Sequence, residues 1–307
     1  MVYNNFIINP YYELKPDYKI CPFGNREVVF NFKLPKSKEI DKYLESLFES
    51  RKFKYTYSGR HAINLALTHY NLKANDCVTI LTTTNNFYIS SCVTKEIEKF
   101  CKWSRKIEIN TKVILVNHEF GFPYEELKEL KNYNIPIIED CAHSFFSIDN
   151  NQDINKVGDF VIYSFPKAFP IQFGGLLLVN TDFTVDTMLD SSAEEYLKKV
   201  LSYYYKSRSE IIQKRLENYN YLRMLLAPFG LTERMELHDG IVPGVFLFTA
   251  PLEESILQKM KEFLYNQGIQ CSVFYGEQTF YIPLHQNLNK SDLLYFREAI
   301  VYFLKQN

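Results

Sequence analysis

The 307-residue sequence predicts an α/β fold, with a mostly parallel central sheet, helices on both faces and a smaller α+β domain after it. Three observations predict it. From residue 54 to residue 140, short apolar runs of strand length alternate with helix-length segments across short connections, as βαβ units do. Asp140 and Lys167 each leave an apolar run, which puts both at the carboxyl ends of strands, where open α/β sheets bind their ligands. Past residue 180 the alternation stops, and long helical patterns mix with short strands.

Residues 1–34 show no sustained periodicity and read as an N-terminal arm that packs on the body or on a second subunit. A helix is predicted from Pro35 to Phe48, with Ser37 as N-cap and Ile40, Leu44, Leu47 and Phe48 on one face. A short strand at 54–57 passes through Ser58 and Gly59 into a helix whose apolar stripe is Ile63, Ala66, Leu67 and Tyr70. A Ser-Gly turn entering a helix presents free N–H groups and the positive end of the dipole, which suit a phosphate, although on its own it is more often just an N-cap. Residues 77–81 read as a buried strand, 82–88 as the loop at its end and 89–100 as a helix. A strand at 112–117 runs into the Gly/Pro-punctuated loop 118–123. Residues 124–131 read as an amphipathic helix, 135–140 as a strand, 145–157 as a surface loop, and 160–165 and 175–180 as two further strands with Lys167 between them.

Residues 181–195 are polar and could link domains. One long helix is predicted over 196–227, then strands near 245–248 and 271–274 around a helix at 253–266, and a last helix from about Ser291. The domains expected are therefore 1–34, 35–195 and 196–307.

Composition is that of a soluble globular protein, 46% hydrophobic and 23% charged, and a net charge of −1 proposes neither nucleic acid nor an anionic membrane as partner. The six cysteines have no CxxC spacing, so neither a zinc site nor a disulfide framework is indicated, and Cys77, Cys92, Cys141 and Cys271 read as buried small hydrophobes. No metal is expected. No apolar stretch approaches 18 residues and no secretory leader is visible, so a cytoplasmic location is expected.

The chemistry concentrates in residues 137–175. A carboxylate that faces a pyridinium nitrogen and a lysine that forms a Schiff base are what a protein must supply for pyridoxal phosphate chemistry. Several segments in register then carry a family resemblance: Ser-Gly-Arg-His-Ala at 58–62, the Thr-rich loop with Phe87, His-Glu-Phe-Gly-Phe-Pro at 118–123 and Glu-Asp-Cys-Ala-His-Ser at 139–144. Gly158 with Asp159, Ser-Phe-Pro-Lys at 164–167, Gly174 with Gly175, and residues 268–275 and 282–288 complete the set. Together they resemble the sugar aminotransferases of the DegT/DnrJ/EryC1/StrS family, which have the fold-type-I architecture of pyridoxal-phosphate-dependent transferases.

That resemblance implies a role for each matched position. Lys167 would bind pyridoxal 5'-phosphate covalently and later move protons. Asp140 would keep the pyridinium nitrogen protonated, His143 would contact the cofactor ring or its 3'-oxygen, and Phe87 would stack on the opposite face. Gly59 and Arg60 would offer backbone amides to the phosphate, and Ser164 a hydroxyl. For His118 a loop-packing role is favoured, with substrate contact as the alternative. The family further implies a homodimer that aminates the keto group of a nucleotide-linked sugar, with glutamate as donor, for cell-surface polysaccharide or secondary-metabolite biosynthesis. Two features depart from the family's ordinary pattern: only Pro166 stands between Phe165 and Lys167, and residues 180–207 hold no equivalent of an Asn- and Arg-bearing stretch. They keep open a second reading, a non-catalytic relative that serves as a binding or regulatory protein.

Overall fold

The structure is a computed structural model that describes residues 17–48, 51–149, 153–179, 187 and 189–307. Residues 1–16 of the predicted arm and most of the first half of the 181–195 linker lie outside the described residues. The central sheet holds seven strands: β1 Lys52–Thr56, β2 Cys77–Thr82, β3 Lys102–Ser104, β4 Thr111–Asn117, β5 Ile137–Asp140, β6 Phe160–Ser164 and β7 Gly175–Val179. Their order is β1-β7-β6-β5-β4-β2-β3. The strands from β3 to β6 pair in parallel, while β7 pairs antiparallel with both β6 and β1. The connection from β6 to β7 is too short for a parallel crossover, so β7 has to return beside β6.

Side-chain alternation along the strands builds two cores, because successive residues of a strand face opposite ways. Val161, Tyr163, Leu176 and Leu178 pack beneath α2 (after α1 Asn25–Lys33, residues Glu39–Leu47) together with Leu197, Val200 and Leu201. Phe160, Ile162, Leu177 and Val179 face the other way, onto α3 (Gly59–His69) and α4 (Ser91–Ile97). Strands covered on both faces can be apolar throughout, and β2 and β7 are buried along their whole length.

After the one-turn helix α5 (Phe165–Ala168), the chain forms α6 (Ser191–Tyr205) and α7 (Arg208–Leu226). A four-stranded antiparallel sheet follows, ordered β10-β11-β9-β8, from β8 Thr232–Glu233, β9 Val245–Thr249, β10 Ser272–Phe274 and β11 Thr279–Pro283. Phe246, Phe248, Val273, Phe280 and Ile282 pack one of its faces against α7, α8 (Glu254–Asn266) and α9 (Lys290–Gln306). The other face, with Val245, Leu247, Phe274 and Tyr281, closes on Phe120, so the small sheet abuts the loop that follows β4.

The structure corrects several local expectations. Residues 25–33 form α1, latched by Asn31, whose Nδ2 donates to Pro170 O at 2.8 Å. The α2 N-cap is Lys38 rather than Ser37, and Leu47 is 41% exposed although Ile40 and Leu44 are buried. The amphipathic run 124–131 is no α-helix: it turns through irregular backbone into a short 3₁₀ segment, Lys128–Tyr133, that needs only Leu127 and Leu130 to anchor it. The helix expected at 89–100 shortens to α4. The single helix expected over 196–227 breaks at Lys206 and Ser207, because α6 serves the core under β6 and β7 while α7 serves the small sheet. The strands β3, β8 and β11 were not anticipated. Among the described residues, no helix is long and apolar enough to cross a membrane.

Candidate active site

Three chain segments meet at the carboxyl ends of the central strands. The turn from β1 into α3 is capped by Ser58, whose Oγ accepts from the His61 N–H at 3.1 Å. The N–H groups of Gly59 and Arg60, in the first turn of α3, have no acceptor within the helix. This turn lies on the end of β6, where a Cβ placed on Gly59 would come 3.2 Å from Ser164 Cβ. At the start of β7, a Cβ on Gly175 would stand 2.7 Å from Ser58 C and 2.8 Å from Gly59 N. Bare glycines thus let β7, the β6 end and the α3 N-terminus close into one joint, with Ser164 beside the amides predicted to take a phosphate.

Asp140 ends β5 with only 3% of its surface exposed. Its Oδ1 accepts from the Ala142 N–H at 3.0 Å and its Oδ2 from Asn117 Nδ2 at 2.8 Å. Burial pushes its carboxyl above the usual range against these hydrogen bonds and the charge of Lys167. His143 follows on the same loop. Burial, and then the charges of Lys167 and Arg215, hold its imidazole well below its ordinary value, so the ring is neutral. Its Nδ1 is sealed from water without a hydrogen-bond partner, and Gly244 lies so near that a Cβ there would sit 2.5 Å away. The ring is edge-on to Phe120 at 5.0 Å.

Lys167 is half-buried on α5, and its charge is felt at Asp140 and His143 on one side and at Cys92 on the other. Cys92 is exposed, which corrects its reading as a buried hydrophobe; Arg60 Nη2 donates to its Sγ at 2.8 Å. Partial burial would raise this thiol, but hydrogen bonds from Arg60 and Ser90 and the nearby charges outweigh it and hold the thiol low. Phe87 stands at the rim, 76% exposed, with its ring edge beside Gly276 of the β10–β11 turn. The structure therefore gathers Lys167, Asp140, His143, Ser164, Gly59 and Arg60, and leaves Phe87 outermost. A cavity of about 770 Å³ opens nearby between residues 82–85, residues 122–126 and Met235, Glu236 and His238, and none of Lys167, Asp140 and His143 lines it.

Asn117 and Arg215 were not singled out from the sequence. Asn117 carried one readable signal, as the last residue of a strand whose end faces the ligand side. Arg215 carried none, being one of several cations along a helical pattern.

Glu139, His118 and Cys141 come together, with ligand-type atoms within 4.8 Å of one another. Their hydrogen bonds explain the cluster without a metal. Glu139 accepts from the N–H groups of Asn155, Val157 and Gly158 at 2.7, 3.1 and 2.6 Å, and lies 3.3 Å from His118 Nε2. His118 Nδ1 accepts from the Tyr124 N–H at 3.0 Å, so Nε2 carries the proton and has no lone pair for an ion. His118 is a buried packing residue of this loop.

The donor set fits one kind of ligand. A buried carboxylate, a neutral histidine with an unsatisfied ring nitrogen, an amine and a helix N-terminus suit a group that pairs a protonatable aromatic ring with a phosphate and an aldehyde. A family model described as "Putative PLP-dependent aminotransferase" matches residues 40–228. The chain belongs to this family of PLP-dependent aminotransferases. Pyridoxal phosphate is the cofactor of such enzymes, and Lys167, Asp140, His143 and the α3 turn are the residues that would hold it. GDP-perosamine synthase of Escherichia coli O157:H7 is 30% identical over 113 residues, a match that spans 33% of this chain and 31% of that protein. The structure of the aminotransferase TlmJ from Streptoalloteichus hindustanus superposes with a TM-score of 0.70 at 15% identity, covering 92% of this chain and 94% of that one. A DegT DnrJ EryC1 StrS aminotransferase from Brucella abortus superposes with a TM-score of 0.65 at 14% identity, covering 91% and 93%. The fold of these two aminotransferases agrees with the DegT/DnrJ/EryC1/StrS resemblance read from the motifs.

Proposed function

We propose that this protein transfers an amino group from L-glutamate to the keto carbon of a nucleotide-linked sugar, as a cytoplasmic homodimer, in cell-surface polysaccharide or secondary-metabolite biosynthesis. The observation that carries the reading is the convergence of Lys167 with the buried Asp140 and the neutral His143 at the ends of β5 and β6. The local identity to GDP-perosamine synthase supports a sugar nucleotide as acceptor. In this reading residues 1–34 are an arm, 35–195 the cofactor domain and 196–307 a small domain, although the rest of α6, to Tyr205, packs in the core of the cofactor domain.

When bound, pyridoxal phosphate supplies an aldehyde that condenses with amines and a ring that withdraws electrons. The chain supplies the rest. Lys167 is the residue that would hold the cofactor covalently, and its Nζ, once free, would be the group that moves protons at the reacting carbon. Asp140 would pair with the cofactor's protonated ring, and the burial that makes its charge costly without a partner would make that pairing strong. His143, being neutral, offers a ring nitrogen for hydrogen bonding without adding a second cation. The amides of Gly59 and Arg60, with Ser164, anchor the phosphate at the α3 dipole.

The test is the absorbance spectrum of the protein with pyridoxal phosphate, before and after L-glutamate. A band at about 410–420 nm that moves to about 330 nm supports the reading. A band indifferent to glutamate favours the non-catalytic relative, a reading to which the shortened Ser164-to-Lys167 connection lends weight. No band at all sinks both uses of the cofactor.

A further inference from the structure

The carboxyl end of α5 is closed from outside by the later part of the chain. A helix of four residues leaves the carbonyls of Lys167 and Ala168 without donors of its own. Arg215 Nη2, from α7, donates to Lys167 O at 2.7 Å and to Ala168 O at 3.4 Å. Gln286 Nε2, from the turn after β11, donates to Ala168 O at 3.1 Å, and Gln286 Oε1 accepts from Arg215 Nε at 2.9 Å. Arg215 is 2% exposed, and among the described residues no carboxylate pairs with it. Burial brings its guanidinium down to about 10, so it stays a cation at neutral pH. A buried, unpaired charge is costly, and neutral donors such as the Gln286 amide can cap carbonyls without that cost. The cation must therefore contribute something that capping alone does not need. Its charge is felt at His143 and at His285.

We infer that Arg215, locked by Gln286, is a positioning residue for Lys167: it fixes the backbone of the lysine's own residue and sets a permanent positive charge beside the lysine turn. The inference rests on Lys167 being the cofactor-bearing lysine. A fixed cation disfavours a second positive charge nearby, so it favours the unprotonated form of the lysine-bound cofactor. The other groups around the lysine are Asp140 and His143 after β5, Cys92 on α4 and Arg60 on α3. None of them is altered in the test.

The full-length protein and its Arg215→Gln, Arg215→Lys and Gln286→Leu variants are loaded with pyridoxal phosphate. Three quantities are read: the peptide that carries the cofactor after borohydride reduction, the dissociation constant of the cofactor, and the pH midpoint of the band near about 415 nm. The expected label is on Lys167 in every case. Arg215→Gln should raise the midpoint by about 0.5–1 pH unit, because a cation has been removed. Arg215→Lys should keep the midpoint but weaken cofactor binding about 10-fold, since an ammonium cannot reproduce the planar fork. Gln286→Leu should likewise weaken binding at an unchanged midpoint. A labelled Arg215→Gln protein with wild-type midpoint and affinity overturns the positioning role. Should that variant fail to fold, wild-type affinity in both Arg215→Lys and Gln286→Leu overturns it instead. Wild-type protein labelled elsewhere than Lys167 overturns the assignment of the lysine itself, and this inference with it.

Discussion

Asn117 and Asp140 stand opposite each other in the parallel register of β4 and β5, and Asn117 Nδ2 holds Asp140 Oδ2 at 2.8 Å. The bond satisfies one oxygen of a fully desolvated carboxylate but supplies no charge. A folded-state carboxyl raised by burial contributes stability while it is protonated and loses it as pH rises through the raised value. At neutral pH, Asp140 therefore strains the cofactor-free protein. Asp140→Asn should stabilise that form by about 1 kcal/mol, read as a rise of a few degrees in Tm, while amino transfer falls by more than about 100-fold. A variant that is both less stable and still active would contradict this account of the site.

Gly175 makes a second prediction. The atoms nearest to its missing Cβ are backbone, Ser58 C, Tyr163 O and Gly59 N, and backbone cannot swing aside as a side-chain tip can. Gly175→Ala should cost about 1–3 kcal/mol in urea unfolding and should push the α3 turn off Ser164, weakening cofactor retention. Gly230, which has open space around its Cβ position, is the control on the unfolding side, although its φ of 72° adds some backbone strain.

Cys92 should be the first of the six cysteines to react with iodoacetamide. It is the exposed one, with Cys21 only partly covered and the other four buried, and Arg60 favours its thiolate. Because the thiol is held low, its alkylation rate should level off at a lower pH than that of a free thiol. Arg60→Met should move that profile upward in pH, as peptide mapping of the alkylated protein would reveal.

Glu139 should prove structural. Replacing it with Leu strands the amides of Asn155, Val157 and Gly158 and the His118 Nε2 proton, at a cost of about 3–5 kcal/mol. Added zinc should leave the Tm of the wild-type protein unchanged, since the oxygens and nitrogens it would need are already engaged. A zinc-dependent rise in Tm would restore the metal reading of this cluster.

What could be read in the sequence is what local chemistry determines. Ser58 and Gly59 announce a capped helix, the apolar runs before Asp140 and Ser164 announce strands, and the ends of strands announce a site. Asn117 as a partner of Asp140 depends on the register of two strands that are neighbours in space, and periodicity does not specify register. Arg215 is 48 residues from the carbonyl it caps. The break at Lys206 and Ser207 is equally invisible, because nothing in the local pattern says that α6 and α7 serve different cores. Residues 124–131 misled for the opposite reason: their amphipathic spacing is real, and two anchoring leucines suffice without a helix. Cys92 looked apolar by its neighbours, and only Arg60 reaching across from α3 gives it another character.

The closure of α5 by Arg215 and Gln286 also sets an order of events during synthesis. By the time residue 179 leaves the ribosome, all seven strands of the central sheet exist, and so does every residue assigned to hold the cofactor. The carbonyls of Lys167 and Ala168 are then still open to water, and they stay open until α7 and the turn after β11 have emerged. A nascent chain stalled before residue 286 therefore carries a complete set of site residues on an unlocked turn.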